Sequence, residues 1–141
     1  MVPISETASL AQILINRKSV TPRDDGAIKA LKNKLSNIGF VNTDLPFGSK
    51  KNNDLIQNLF SIKKSSKSKS RVLCFAGHTD VVPEGDIEKW KHNPFLGKVS
   101  KGKLHGRGAS DMKGAIAAWV MACENVIKNN ILNISLAMLI T

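Results

Sequence analysis

Three residues of this chain have the side-chain chemistry of a metal site. His78 and Asp80 lie two apart in Gly77-His78-Thr79-Asp80-Val81-Val82-Pro83, directly after an apolar run. A neutral imidazole at a strand end is a good zinc ligand. A carboxylate two residues on can bond its other ring nitrogen and fix the tautomer. Alone, His-x-Asp is a short pattern, and a histidine at a strand end more often simply hydrogen-bonds a loop. Asp111 stands in Gly106-Arg107-Gly108-Ala109-Ser110-Asp111-Met112-Lys113-Gly114, where two glycines let the chain turn tightly before a helix. Its plainer role is a negative charge at a helix start, which the helix dipole favours. The Gly-x-Gly is only a fragment of the phosphate-loop patterns and follows a loop, so a phosphate cradle is not read here.

The elements that must position these residues alternate in type. Ser5 can cap a helix to about Arg17, with Leu10, Ile13 and Leu14 on one face. Ser19-Val20-Thr21-Pro22 breaks it. Asp24 or Asp25 can cap a second helix with the stripe Ile28, Leu31, Leu35 and Ile38, stopped at Gly39. Strands are expected at Phe40–Leu45 and Leu55–Ile62. Val72 to Ala76 is a continuous apolar run, the pattern of a strand buried on both faces of a parallel sheet. A long loop spans Thr79 to Ser110. A helix is expected from Asp111 to about Asn129, with Ile116, Ala117, Val120 and Cys123 inward. Another buried strand is expected at Ile131–Thr141. The fold class is therefore α/β, a mostly parallel sheet with helices on both faces.

Composition bounds the rest. The chain has 141 residues, 42% apolar and 23% charged, which excludes a wholly disordered polypeptide and fits one domain or one piece of a larger one. Lys and Arg outnumber Asp and Glu by 21 to 11, a net charge of +10 that suggests an anionic partner. Lys63 to Arg71 is basic and low in complexity, and reads as a solvated loop. A nucleic-acid patch there would want interleaved aromatics or a recognition helix, and has neither. No apolar stretch is long enough to span a membrane. Cys74 and Cys123 lie in apolar runs and no signal-peptide pattern precedes them, so both are read as reduced, buried thiols of a cytoplasmic protein.

Taken together, Phe75-Ala76-Gly77-His78-Thr79-Asp80-Val81-Val82-Pro83-Glu84-Gly85-Asp86, then Trp90, Asn93-Pro94-Phe95, and Gly102 through Gly114 resemble the dinuclear zinc amidohydrolase and peptidase family. That family includes succinyl-diaminopimelate desuccinylase, acetylornithine deacetylase and aminoacylase. Val-Pro-x-Gly-Asp, Gly-Arg-Gly-Ala before Asp111, and Ser19-Val20-Thr21-Pro22 favour the desuccinylase branch. The resemblance implies that His78 ligates one zinc and that Asp111 bridges two. It implies that Asp80 orients His78 as its catalytic partner, and that the Asp111–Met112 peptide is cis. It further implies two zinc ions per complete site, with cobalt as an alternative, a small-molecule substrate and a homodimer. The reaction it implies is hydrolysis of N-succinyl-LL-2,6-diaminopimelate to succinate and LL-2,6-diaminopimelate.

The departures matter equally. The family follows the strand equivalent to Leu136–Thr141 with two adjacent glutamates, a general base and a ligand, and later with a further acidic ligand and a second histidine. The chain is accordingly expected to be the N-terminal portion of a catalytic domain, residues 1–141, without the dimerisation domain. Two candidate ligands are fewer than the three a catalytic zinc needs, so weak metal binding and no useful hydrolysis are expected of it alone. The rival readings are another amidohydrolase such as acetylornithine deacetylase, a basic nucleic-acid-binding module, and a non-catalytic remnant.

Overall fold

The computed structural model describes residues 4–49, 51, 55–66, 70–130 and 132–141. Helix α1 (Glu6–Ile15) starts where Ser5 Oγ accepts from the Ala8 amide at 3.2 Å. It buries Leu10, Ala11, Leu14 and Ile15, while Ile13, expected inward, is 48% exposed. Helix α2 (Ala27–Asn37) buries Ile28, Leu31 and Leu35. Its N-cap position is Gly26, neither Asp24 nor Asp25, but the Asp24 carboxylate reaches into the first turn and accepts from the amides of Gly26 and Ile28 at 2.9 and 2.8 Å.

Four strands form the main sheet: β1 (Val41–Asp44), β2 (Leu59–Lys63), β3 (Val72–Gly77) and β6 (Ser135–Ile140), in the order β1-β2-β6-β3. Helix α3 (Gly114–Lys128) lies between β3 and β6 in the chain. Among the described strands of this sheet β3 and β6 pair in parallel, while β1 with β2, and β2 with β6, are antiparallel. The α/β class therefore holds, but the sheet is mixed rather than mostly parallel. The expected long loop contains a small antiparallel hairpin, β4 (Lys98–Ser100) and β5 (Lys103–His105). Its two-residue turn has positive φ at both Lys101 (50°) and Gly102 (73°), as such hairpin turns require.

Side chains alternate across a strand, so Leu136, Met138 and Ile140 share one face of β6. They pack in one cluster with Leu59 of β2 and with Leu10, Leu14, Leu31, Leu35, Ile116 and Val120 of the three helices. Trp119 of α3 meets Phe40 and, at 5.4 Å between centroids, Phe75 on the same face of the sheet. Among the described residues, the helices thus cover one face and not both. The other face carries Val41, Val72 and Leu139, which are 69%, 55% and 38% exposed, together with exposed Cys74. The continuous apolar runs read as burial on two sides, but β3 is an edge strand with one paired neighbour. Cys74 is consequently not the buried thiol expected, whereas Cys123 is buried.

One ion-pair cluster ties α2 to α3. The Glu124 side chain, 11% exposed, accepts from Lys34 Nζ at 2.5 Å and Lys128 Nζ at 2.9 Å. The hydrogen bonds from Lys34 and Lys128 hold its carboxyl below the usual glutamate range, against the opposing effect of burial. A carboxylate with a lowered folded pKa contributes stability above its unfolded pKa, about 4.3, and loses it as the pH falls through the folded value. Glu124→Gln is therefore expected to cost about 1–2 kcal/mol at neutral pH and less at an acidic pH below that unfolded value. Urea unfolding of both proteins at the two pH values measures this, and an equal cost at both would refute it.

Candidate metal centre

Strand β3, α3 and β6 form a parallel crossover unit, and its open end is where α/β sheets place ligands. His78 follows the last residue of β3. Asp111 lies in the turn of residues Ala109–Lys113 that leads into α3. The crossover brings the two to the same end of the sheet: His78 Nε2 lies 3.0 Å from Asp111 Oδ1. The turn depends on two glycines. Gly108 has φ +78°, and a Cβ there would meet Val81 Cγ1 at 2.6 Å. At Gly114 a Cβ would stand 2.3 Å from the Ala109 carbonyl oxygen. Between them the Asp111–Met112 peptide is cis, as the resemblance implies.

The other ring nitrogen of His78 faces Asp80, but the nearer atom is the backbone carbonyl. Nδ1 is 3.0 Å from Asp80 O and 3.3 Å from Asp80 Oδ1. Both ring nitrogens therefore face oxygen acceptors, an arrangement that suits a doubly protonated ring. Burial by itself lowers the His78 pKa. The hydrogen bonds to the Asp80 carbonyl and the Asp111 carboxylate outweigh it, with the two carboxylate charges adding to them, and the net shift is upward. A divalent cation at Nε2 would take the place of that ring proton, between an imidazole and a carboxylate that both suit zinc. The donor types fit such an ion. Their number does not complete a site: among the described residues no three His, Cys, Asp or Glu side chains gather to hold one.

A pocket of about 250 Å³ opens beside these residues, bounded by His78, Asp80 and Asp111 and by the stretch from Gly106 to Ser110. The Asp111 side chain is 86% exposed towards solvent. Arg107 is stacked 5.3 Å from the Trp90 ring and donates to the Glu84 carbonyl at 3.4 Å. Trp90 Nε1 donates to the same carbonyl at 2.9 Å and so ties the long loop together, and Phe95 is buried.

A lysine near a helix start is ordinarily solvated, yet Lys113 is 0% exposed and its Nζ donates to the Arg17 carbonyl at 2.6 Å. Burial pushes its pKa down to about 8, opposed by the charges of Asp24, Asp25 and Asp80. Lys113 stands three, four and seven residues before the inward Ile116, Ala117 and Val120, so the helical period places it on the buried stripe although its charge argues for solvent. Of the basic run, Lys63 closes β2 opposite Leu136, while Lys67 and Lys69 lie outside the described residues.

Residues 74–141 match the model of Peptidase family M20/M25/M40. The chain is also similar to curated proteins over most of its length. Over 127 residues, 90% of this chain, it is 48% identical to a succinyl-diaminopimelate desuccinylase of Hahella chejuensis. Over 134 residues it is 48% identical to the desuccinylase of Ehrlichia canis. The chain spans 31% and 33% of the length of these two relatives. Among solved structures, human carnosine dipeptidase 1 superimposes with a TM-score of 0.83 at 20% identity, covering 96% of this chain and 31% of that one. A metallo-carboxypeptidase of the M20 family from Sulfolobus solfataricus does so with a TM-score of 0.77 at 20% identity, covering 97% of this chain and 30% of that one. The M20 fold therefore extends upstream of residue 74, through α1, α2, β1 and β2. No helix among the described residues is long and apolar enough to cross a membrane.

Proposed function

We propose that this chain supplies the part of a metal-dependent amide hydrolase that carries His78 and Asp111, with N-succinyl-LL-2,6-diaminopimelate as substrate. The observation that carries this reading is the approach of His78 Nε2 to Asp111 Oδ1 across two separate chain segments. The desuccinylase relatives at 48% identity support the substrate. In this reading His78 and Asp111 hold zinc, with cobalt as an alternative, and the protein works in the cytoplasm as a homodimer on a small molecule rather than on nucleic acid.

A bound divalent ion supplies Lewis-acid polarisation of the amide carbonyl and lowers the pKa of a coordinated water. This chain's own contribution is positional. The Asp80 carbonyl and carboxylate hold the proton on His78 Nδ1, which leaves Nε2 free to ligate. The Asp111 carboxylate, exposed at the pocket mouth, offers two oxygens. The general base and the remaining ligands belong to the portion of the desuccinylases that this chain does not span.

The test completes the chain with the C-terminal portion of the Hahella chejuensis relative and assays the product with zinc. Hydrolysis of N-succinyl-LL-2,6-diaminopimelate is expected, with N-acetylornithine turned over at least about a hundredfold more slowly in kcat/KM, a discrimination of roughly 3 kcal/mol. The chain alone is expected to be inactive on both. Preference for N-acetylornithine would move the assignment to the deacetylase, and activity of the chain alone would refute its incompleteness.

A further inference from the structure

His78 and Asp111 sit on two segments, the loop after β3 and the turn before α3, that share no direct covalent neighbour. Both segments are hydrogen-bonded to one short stretch between α1 and α2, residues 17–21. On the His78 side, Ser19 Oγ donates to the Thr79 carbonyl at 2.8 Å. The Val81 amide donates to the Ser19 carbonyl at 2.9 Å, and the Thr21 amide to the Val81 carbonyl at 3.1 Å. Val20 and Val81 are thereby bridged in parallel across the residues flanking Asp80. On the Asp111 side, Lys113 Nζ donates to the Arg17 carbonyl at 2.6 Å. Ser19 and Lys113 are both 0% exposed.

We infer that residues 17–21 form a bracket that sets the separation of His78 and Asp111, with Ser19 and Lys113 as its positioning residues. The chemistry of Lys113 carries much of this. A buried ammonium is costly to desolvate, and an apolar side chain of the same length would fill the volume without that cost. Its only direct partner among the described residues is a backbone carbonyl of the bracket, two residues from Ser19. Directional hydrogen bonding is what the ammonium adds there and what a methionine could not. Ser19 is held in turn: its amide donates to Asp25 Oδ2 at 3.2 Å, and its φ is +39°. A displacement at either end of the bracket would separate imidazole from carboxylate while leaving the helical core in place.

This inference rests on reading His78 and Asp111 as ligands, and the experiment separates the two. The chain is labelled with ¹⁵N in its histidine rings, and the His78 signals are followed during zinc titration. Ser19→Ala and Lys113→Met are compared with Leu35→Ala, a core substitution on α2. Zinc is expected to shift the His78 signals, and both bracket variants are expected to weaken the affinity by about tenfold or more, as losses of ligand-orienting partners do. Leu35→Ala is expected to lower stability without changing the zinc affinity. Unchanged affinity in both bracket variants, or an equal loss in Leu35→Ala, overturns the bracket. If zinc does not move the His78 signals at all, the ligand reading fails and the metal-free spectra judge the bracket. The hydrogen-bonded Nε2 signal should then move to the free-imidazole position in Ser19→Ala and Lys113→Met only. A signal unmoved in both overturns it.

Discussion

In the chain completed with the rest of the Hahella chejuensis desuccinylase, Asp111→Ala is expected to lower kcat/KM by at least about a thousandfold. Asp80→Asn is expected to lower it by only about 10- to 100-fold. The difference follows from where each carboxylate stands. Asp111 faces His78 Nε2 at 3.0 Å and reaches the mouth of the pocket, so its loss removes one of the two donors this chain offers. A Lewis acid is worth several kcal/mol to amide hydrolysis, and each 1.4 kcal/mol is about tenfold in rate. Asp80 acts from behind the ring. Even without its charge, its backbone carbonyl, at 3.0 Å from Nδ1, still holds the tautomer. Kinetics with parallel elemental analysis for zinc would decide this. Loss of metal and rate together in Asp111→Ala, with metal retained in Asp80→Asn, is the expected pattern. Equal losses in both would mean that Asp80 is itself a ligand.

How much of this was legible in the sequence depends on whether local or distant contacts decided it. The stripe Ile28, Leu31, Leu35 is buried as read, because helical period alone places those side chains on one face. The cap of α2 was read as Asp24 or Asp25 and its position falls on Gly26, since capping geometry is decided by a turn of two or three residues. The hairpin β4–β5 was overlooked although Lys101-Gly102 carried its signal, a two-residue turn between short strands. At Lys113 the helical period points inward, on the stripe of Ile116, Ala117 and Val120, while the charge argues for solvent, and its partner is not local. Whether a lysine at a helix start points to solvent or to the Arg17 carbonyl depends on how α1 packs against the Asp111 turn, a contact nearly a hundred residues apart in sequence. The meeting of His78 with Asp111 was inferred from motif resemblance and not from spacing. Physically it is a β-α-β crossover between the parallel strands β3 and β6 that carries the start of α3 to the end of β3.

Apolarity alone misled most clearly at Val72–Ala76, and the two cysteines measure by how much. Cys74 is expected to react with a maleimide at least about a thousandfold faster than Cys123 in the native chain. Both occupy apolar runs, but they stand on opposite sides of the burial question. Cys123 lies on α3, 4% exposed within the core cluster, and burial pushes its thiol up to about 12. It forms little thiolate near neutral pH and reacts only through opening of the core. A thousandfold protection corresponds to roughly 4 kcal/mol of opening free energy, within reach of a marginally stable fold. Cys74 alternates with Phe75 along β3: Phe75 turns to Trp119, and Cys74 to the uncovered face beside Val72. Its exposure arises because no described element lies over that face, not because of any polarity in its neighbours. Mass spectrometry of peptides after timed labelling reads the two rates separately. Comparable rates would mean that the core opens as readily as the sheet face is exposed. Protection of Cys74 as strong as that of Cys123 would mean that the apolar run is buried on both sides after all, as its composition alone suggests.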